Sequence, residues 1–291
     1  MKKIALIGTT ASGKTNLAHK LAKASNSIIL SLDSLCLYKE LNIINAKPDN
    51  QMLEEIKYFG INLISVNENY NVGLYFDEYK KALEFAKNNE KNLIITGGSG
   101  FYLKAMLDGL SPKINDINHN LSLDEIYNLM LKIDKNSNIS ANDTYRLNKW
   151  YSIYKSTNEI PSLWLKANTQ EALIKELKIY DILWDKDILN ERIRLRTKQM
   201  LSLNAYDEVI NLYKIYGDTK ALNSIGAKEI IDCFNQKISK DELEDLITIH
   251  TRQLAKRQRT FNKKFNAKIF NIKSEEDLQN AYESILIYLK S

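Results

Sequence analysis

Residues 8 to 15 read GTTASGKT, a glycine, four spacers and then Gly-Lys-Thr. That spacing suits a phosphate-binding loop made of Gly8, Thr9, Thr10, Ala11, Ser12, Gly13, Lys14 and Thr15. The glycines let the backbone curl around an anion with its N–H groups turned inward. Lys14 then reaches the oxygens of a terminal phosphate, and the Thr15 hydroxyl is placed to ligate Mg²⁺. A second candidate is Asp33, which closes the apolar run SIILSLD. A carboxylate there can orient Mg²⁺ or act as a general base, and residue types alone leave both roles open.

Cations form the third group. The stretch TRQLAKRQRTFNKKFNAK at 251–268 carries seven Lys or Arg and no acid. On a helix, Arg252, Lys256, Arg259 and Lys263 fall within about 60° of one another. Ile247, Leu254 and Phe261 lie on the opposite side, where they can pack on a core. A basic stripe backed by an apolar one suits a polyphosphate backbone. Upstream, Arg192 and Arg196 are four residues apart, as are Arg194 and Lys198, and some of these are expected to face the anion site.

Those groups need elements to hold them. KKIALIG at 2–8 and SIILSLDS at 27–34 suit buried strands, and NLIITGGSG at 92–100 a third that breaks at paired glycines. TNLAHKLAKAS and EYKKALEFAKNNEK have helical spacing between them. Alternating strands and helices indicate a parallel, doubly wound α/β sheet. Its ligands bind at the carboxyl ends of the strands, where the loop, Asp33 and the GGSG turn all fall. From about 111 to 170 the chain holds helix-like segments punctuated by Asn and Ser, and no strand-like run. The expected organisation is therefore a core of 1–110 and 171–291 with a helical insertion at 111–170. A strand is expected again at 178–184, helices from about 187 to 265, and a last strand at 267–272.

The bulk composition narrows the class. With 44% hydrophobic and 26% charged residues, the chain is expected to be an ordinary soluble globular protein. Cys36 and Cys233 form no CxxC pair, and His19, His119 and His250 are scattered, which argues against a disulfide framework or a His-rich metal site. No stretch approaches the ~18 apolar residues of a membrane span. A cytoplasmic protein with no membrane partner is expected. The net charge of +5 is too mild to argue for a partner without the clustering.

Taken in order, the loop, DSLCLYKELNIINAKP, GGSGFYLKAMLDGL, NDTYRLNKW, RIRLRTKQM, SIGAKE and TRQLAKRQRTF cover nearly the whole chain. Together they resemble the tRNA dimethylallyltransferase family, isopentenyl transferases that modify adenosine 37 beside the anticodon. TRQLAKRQRTF is the most telling, being similar to the family's Thr-Arg-x-x-Ala-Lys-Arg-Gln-x-Thr-Trp. Departures are Cys36 where many members have Gln, Asn45 for Thr, Ala227 for Tyr, Phe261 for Trp, and Lys149-Trp150 for Arg-Ala.

The resemblance implies a P-loop sheet flanked by helices, and dimethylallyl diphosphate as the guest of the loop in place of ATP. It implies Asp33 as the base that takes a proton from N6 of adenine. Lys14, Mg²⁺ on Thr15 and Arg196 would then stabilise departing pyrophosphate. It assigns RNA contacts to Asp33, Ser34, Leu35 and Cys36, to Ser99, to Arg146 and Lys149, and to Arg252, Lys256, Arg257, Gln258 and Lys263. The insertion would clasp the anticodon stem of tRNA, with the enzyme acting as a monomer on tRNAs that read codons starting with U. Rival readings are a small-molecule kinase using ATP on the same loop, and a prenyltransferase acting on free adenine nucleotides.

Overall fold

The computed structural model describes residues 1–291. In chain order the elements are β1 (Lys3–Gly8), α1 (Lys14–Ala24), β2 (Ser27–Ser31), α2 (Asn50–Glu55), β3 (Tyr58–Phe59), α3 (Val72–Asn88), β4 (Asn92–Thr96) and α4 (Gly100–Asp108). Three helices follow, α5 (Leu123–Ile133), α6 (Thr144–Thr157) and α7 (Pro161–Asn168). The chain then runs through β5 (Lys178–Trp184), α8 (Lys186–Ser202), α9 (Ala205–Tyr216), α10 (Ala227–Phe234), α11 (Lys240–Asn262), β6 (Lys268–Ile272) and α12 (Glu275–Lys290).

The six strands form one sheet in the order β3-β2-β4-β1-β5-β6, and every pair is parallel. β1 lies inside it, between β4 and β5, so it is covered on both faces and has no room for alternation. Ile4, Ala5, Leu6 and Ile7 are accordingly all buried. Because the strands are parallel, the turns that follow β1, β2, β4 and β5 all emerge at the same edge. This shared edge brings GTTASGKT, Asp33, Gly97-Gly98 and Trp184 together from distant parts of the chain.

Three departures from the sequence reading have local causes. β2 stops at Ser31, short of Asp33. The Leu32 N–H still reaches Thr96 O at 2.7 Å, but Asp33 then turns the chain by accepting Leu35 N–H on Oδ1 at 3.1 Å. β3 is only two residues long, too short for periodicity to reveal. The helix α12 lies beyond the last expected element. Ser274 and Asp277 form its capping box, and it buries Ala281, Ile285 and Leu289 at a spacing of four.

The chain divides into two compact units, Met1–Lys104 with Lys175–Ser291, and Ala105–Ile174. The second has its own small core of Ile126, Met130, Leu147, Trp150 and Tyr151. Asp134, at the end of α5, accepts Trp150 Nε1 of α6 at 2.9 Å and the Ser162 N–H of α7 at 2.9 Å. One buried carboxylate thereby joins three helices.

Candidate active site

Several carbonyls of the phosphate loop are claimed by side chains, which holds its backbone in place. Trp184 Nε1 donates to Ser12 O at 2.8 Å, Arg192 Nε to Ala11 O at 3.1 Å, and Lys14 Nζ to Thr9 O at 3.0 Å. Arg192 also lies over the Trp184 ring, 4.2 Å from its centroid. Gly13 has φ +80°, a left-handed conformation that favours glycine, and it caps α1. The dipole of α1 adds to the pull on an anion. The Thr9 and Ser12 hydroxyls are buried with no partner in the protein, two unspent donors at an anion loop.

Lys14 and Arg196 supply the positive charge. Burial pulls the Lys14 ammonium down to about 8, with Asp33 opposing that shift and Arg196 reinforcing it. Arg196 is likewise lowered by burial, with Asp33 again opposing, and its Nη2 donates to Thr10 Oγ1 at 2.6 Å. Of the five basic residues on α8, Arg192 and Arg196 therefore meet the loop. Arg194 instead pairs with Glu191 at 2.7 Å in solvent, and Lys198 is exposed.

Asp33 reaches the site because Gly97 lets two turns touch. A Cβ on Gly97 would stand 2.5 Å from the Leu32 carbonyl carbon, and a larger residue would force Asp33 away. Asp33, Ser34, Leu35, Cys36, Ser99, Arg196 and Gln258 line one cavity of about 400 Å³ together with Thr10, Lys14 and Thr15. Apolar Ile44, Met200, Ile225, Ile247 and Leu254 also line it. Ala11, Ser12 and Gly13 line an adjoining cavity with Lys14, Thr15 and Arg196, while Gly8 begins the loop at the end of β1. Anion-binding groups and apolar side chains lining one cavity suit a small amphiphilic diphosphate. Cys36 is buried, and burial pushes its thiol well above the ordinary range, so it is no nucleophile.

A tyrosine group with Tyr75 at its buried centre sits beside Asp33. Tyr75 stacks on Tyr102 with ring centroids 4.2 Å apart, and Tyr70 meets both edge-on at 6.3 Å. Burial raises the Tyr75 phenol far above its ordinary value, Asp33 adding to that, and its hydroxyl has no partner. Asn45 is a second residue of this kind. Its nitrogen donates to Leu35 O at 2.9 Å, and its buried oxygen is unpaired.

Several cations stand outside the cavity. Arg252, Lys256, Arg257 and Lys263 are exposed along and at the end of α11. Lys256 and Arg257 border a shallow depression with Phe261 and Lys264. Arg259 corrects the expected stripe: it is turned inward, and its Nη2 donates to Trp184 O at 2.6 Å. Asp181 of β5, which the sequence reading passed over, explains part of this. Burial raises its carboxyl, while Asn262 at 3.3 Å and the nearby Arg259 counteract. Arg146 and Lys149 both lie on α6 of the second unit, where Arg146 pairs with Asp143 at 3.1 Å and Lys149 donates to Ile114 O.

A divalent cation at this loop would draw on few protein ligands. No group of three His, Cys, Asp or Glu residues stands ready to hold a metal. The Thr15 hydroxyl and the Asp33 carboxylate share the cavity with the anion loop, which fits an ion that takes its other ligands from substrate phosphates and water.

Comparison with known proteins matches the chain to a family model described as IPP transferase over residues 36–265. The tRNA dimethylallyltransferase of Campylobacter lari is 56% identical over 98% of this chain and 96% of its own. That of Campylobacter concisus is 51% identical over 99% of each. Among solved structures, a tRNA isopentenylpyrophosphate transferase from Staphylococcus epidermidis covers 98% of this chain and 97% of its own, at 25% identity and a TM-score of 0.71. A eukaryotic dimethylallyltransferase acting on tRNA shares the fold at 23% identity, with a TM-score of 0.79 over 98% of this chain and 78% of its own.

Proposed function

As the chain belongs to the IPP transferase family and is a tRNA prenyltransferase, we propose that it moves the dimethylallyl group of dimethylallyl diphosphate onto N6 of adenosine 37, in tRNAs reading codons that start with U. The observation that carries the site reading is one cavity lined by Asp33, the buried Lys14, the half-buried Arg196 and several apolar side chains. The cations and the loop N–H groups suit the diphosphate, and the apolar side chains suit the five-carbon chain.

The chemistry follows from what each partner lacks. The N6 lone pair of adenine is delocalised into the ring, so the amine is a weak nucleophile. Asp33 takes a proton from N6 as the new C–N bond forms at the prenyl carbon. The C–O bond to diphosphate breaks with its electron pair, and negative charge grows on the leaving oxygen. Lys14, Arg196 and the loop N–H groups stabilise that charge from fixed positions and with little water nearby. Mg²⁺, held by Thr15 with Asp33 close by, would neutralise further charge on the diphosphate. The adenine must leave the stack of the anticodon loop to reach Asp33, which costs a few kcal/mol.

For the RNA we assign Asp33, Ser34, Leu35 and Cys36 with Ser99 to the flipped base and its neighbours. Arg252, Lys256, Arg257 and Lys263 meet backbone phosphates, and the inserted unit, with Arg146 and Lys149, grips the anticodon stem. One chain carries the loop, the base and the cations, so a monomer suffices, and we place it in the cytoplasm with its tRNA. The kinase reading finds no favour in a family of prenyltransferases.

The test is mass spectrometry of tRNA after incubation with the protein, Mg²⁺ and dimethylallyl diphosphate, with parallel arms offering ATP or free AMP. A gain of one dimethylallyl group on adenosine 37 is expected. Prenylation of AMP with tRNA untouched, or phosphoryl transfer from ATP without prenyl transfer, overturns the reading.

A further inference from the structure

Gln258 lies on α11 next to the exposed Lys256 and Arg257, yet its own amide is spent inside the protein. Its Oε1 accepts the Thr10 N–H at 2.7 Å, and its Nε2 donates to Gly98 O at 3.0 Å. An N–H at one end and a carbonyl at the other dictate the orientation of the amide. Thr10 belongs to the phosphate loop, and Gly98 to the turn beside Asp33. The fit at Gly98 is close: a Cβ there would stand 2.6 Å from Gln258 Nε2 and 3.7 Å from Asp33 Oδ2.

The helix that carries Gln258 is itself tied down. Arg259 is bonded to Trp184 O at 2.6 Å, and Asn262 to Asp181 at 3.3 Å, both on β5. Thr10 is held a second time, by Arg196 on its hydroxyl at 2.6 Å. One side chain therefore spans the two turns that bring the leaving group and the base to the same cavity. An RNA ligand would have to share an amide already engaged at both ends.

We propose that Gln258 is a positioning residue for prenyl transfer: it fixes the phosphate loop against the Gly97-Gly98 turn, setting the distance from diphosphate to Asp33, and adds little to RNA affinity. This rests on the prenyl-transfer reading above. Transfer between two bound groups is sensitive to small misplacements, so loss of the strap falls on turnover.

Gln258→Met keeps the length of the side chain and removes both bonds. At saturating donor and tRNA its kcat is expected to fall about tenfold or more, each lost bond contributing a few-fold. Its Kd for an anticodon stem-loop, and the salt dependence of that Kd, should stay within about twofold of wild type if no phosphate contact is lost. Affinity for pyrophosphate with Mg²⁺, measured by calorimetry without tRNA, should fall as well. Gly98→Ala displaces the same amide from its other end, so the two substitutions should be non-additive in kcat, whereas independent effects would add. Thermal melts of both variants separate loss of the strap from loss of the fold.

A stem-loop Kd weakened about tenfold in Gln258→Met, with kcat and pyrophosphate affinity at wild-type values, overturns the proposal and makes Gln258 an RNA contact. Additive effects of the two substitutions overturn it too. If the wild-type protein fails to prenylate tRNA, the reaction assignment falls instead, and the pyrophosphate measurement still tests the strap.

Discussion

Lys14 and Arg196 lie inside the cavity, largely withdrawn from water and bonded to the phosphate loop, whereas Lys256, Arg257 and Lys263 stand in solvent along α11. The first pair carries a desolvation penalty, visible in the fall of Lys14 to about 8. In exchange, its charge acts through a medium that screens little and from a fixed position. The second group keeps its hydration and holds no set geometry, so it can attract a backbone without selecting a reacting atom. Position thus separates the cations we assign to chemistry from those we assign to affinity, although the residue types are the same.

The largest effect should come from the residue that the buried cations surround. Asp33→Asn removes the base, and kcat is expected to fall about a thousandfold while tRNA affinity holds. Single-turnover assays and filter binding check this, and near-normal turnover would remove Asp33 from that role. Lys14→Met should cost about a hundredfold in kcat/KM for the prenyl donor.

The same Lys14→Met variant should make the free protein more stable. The folded lysine titrates near 8 and the unfolded one at 10.5, so between those values the unfolded chain holds a proton that the folded chain lacks. Wild-type stability therefore rises with pH through that window, and below it the charged lysine is a cost. The variant should exceed wild type at pH 7 by roughly 2–3 kcal/mol, with the gap closing by about pH 10.5. Denaturant titrations in EDTA at both pH values measure it, and a gap that widens with pH would contradict the sign.

On the exposed side the changes are smaller. Lys256→Ala should weaken tRNA binding a few-fold and lower the slope of log affinity against log salt by about one unit. An unchanged slope would mean that this edge faces only solvent. Arg259→Ala sharpens the contrast, since it lies in the same basic stretch but points inward. It should leave the slope alone and cost about 1–2 kcal/mol of stability through its lost hydrogen bond, read from a denaturant midpoint.

Much of the candidate site was legible in the residues themselves. GTTASGKT carries its own geometry, because Gly-x₄-Gly-Lys-Thr between a strand and a helix has one usual use. The parallel sheet was legible from alternating apolar runs and helical segments. Asp33 was singled out by its place at the end of an apolar run, although its strand stops two residues earlier. What escaped was everything whose meaning depends on a distant neighbour. Tyr70 and Tyr75 sit in no quoted motif, Tyr102 lies within GGSGFYLKAMLDGL, and the three gather only after α3 and α4 pack. Asp181 looks like one polar residue in a strand until Asn262 arrives from 81 positions away.

Helical periodicity put Arg259 with Arg252 and Lys256 because a wheel assigns directions and not partners. The sequence alone determined the sheet, the Gly-rich loop between β1 and α1 and the residue types we assign to the chemistry, all of which follow from local backbone preference and burial pattern. Only the tertiary structure decided which cations are buried, which point inward, and that Gln258 spans the loop and the turn beside Asp33. Those outcomes depend on long-range hydrogen bonds and desolvation, which neither spacing nor composition records.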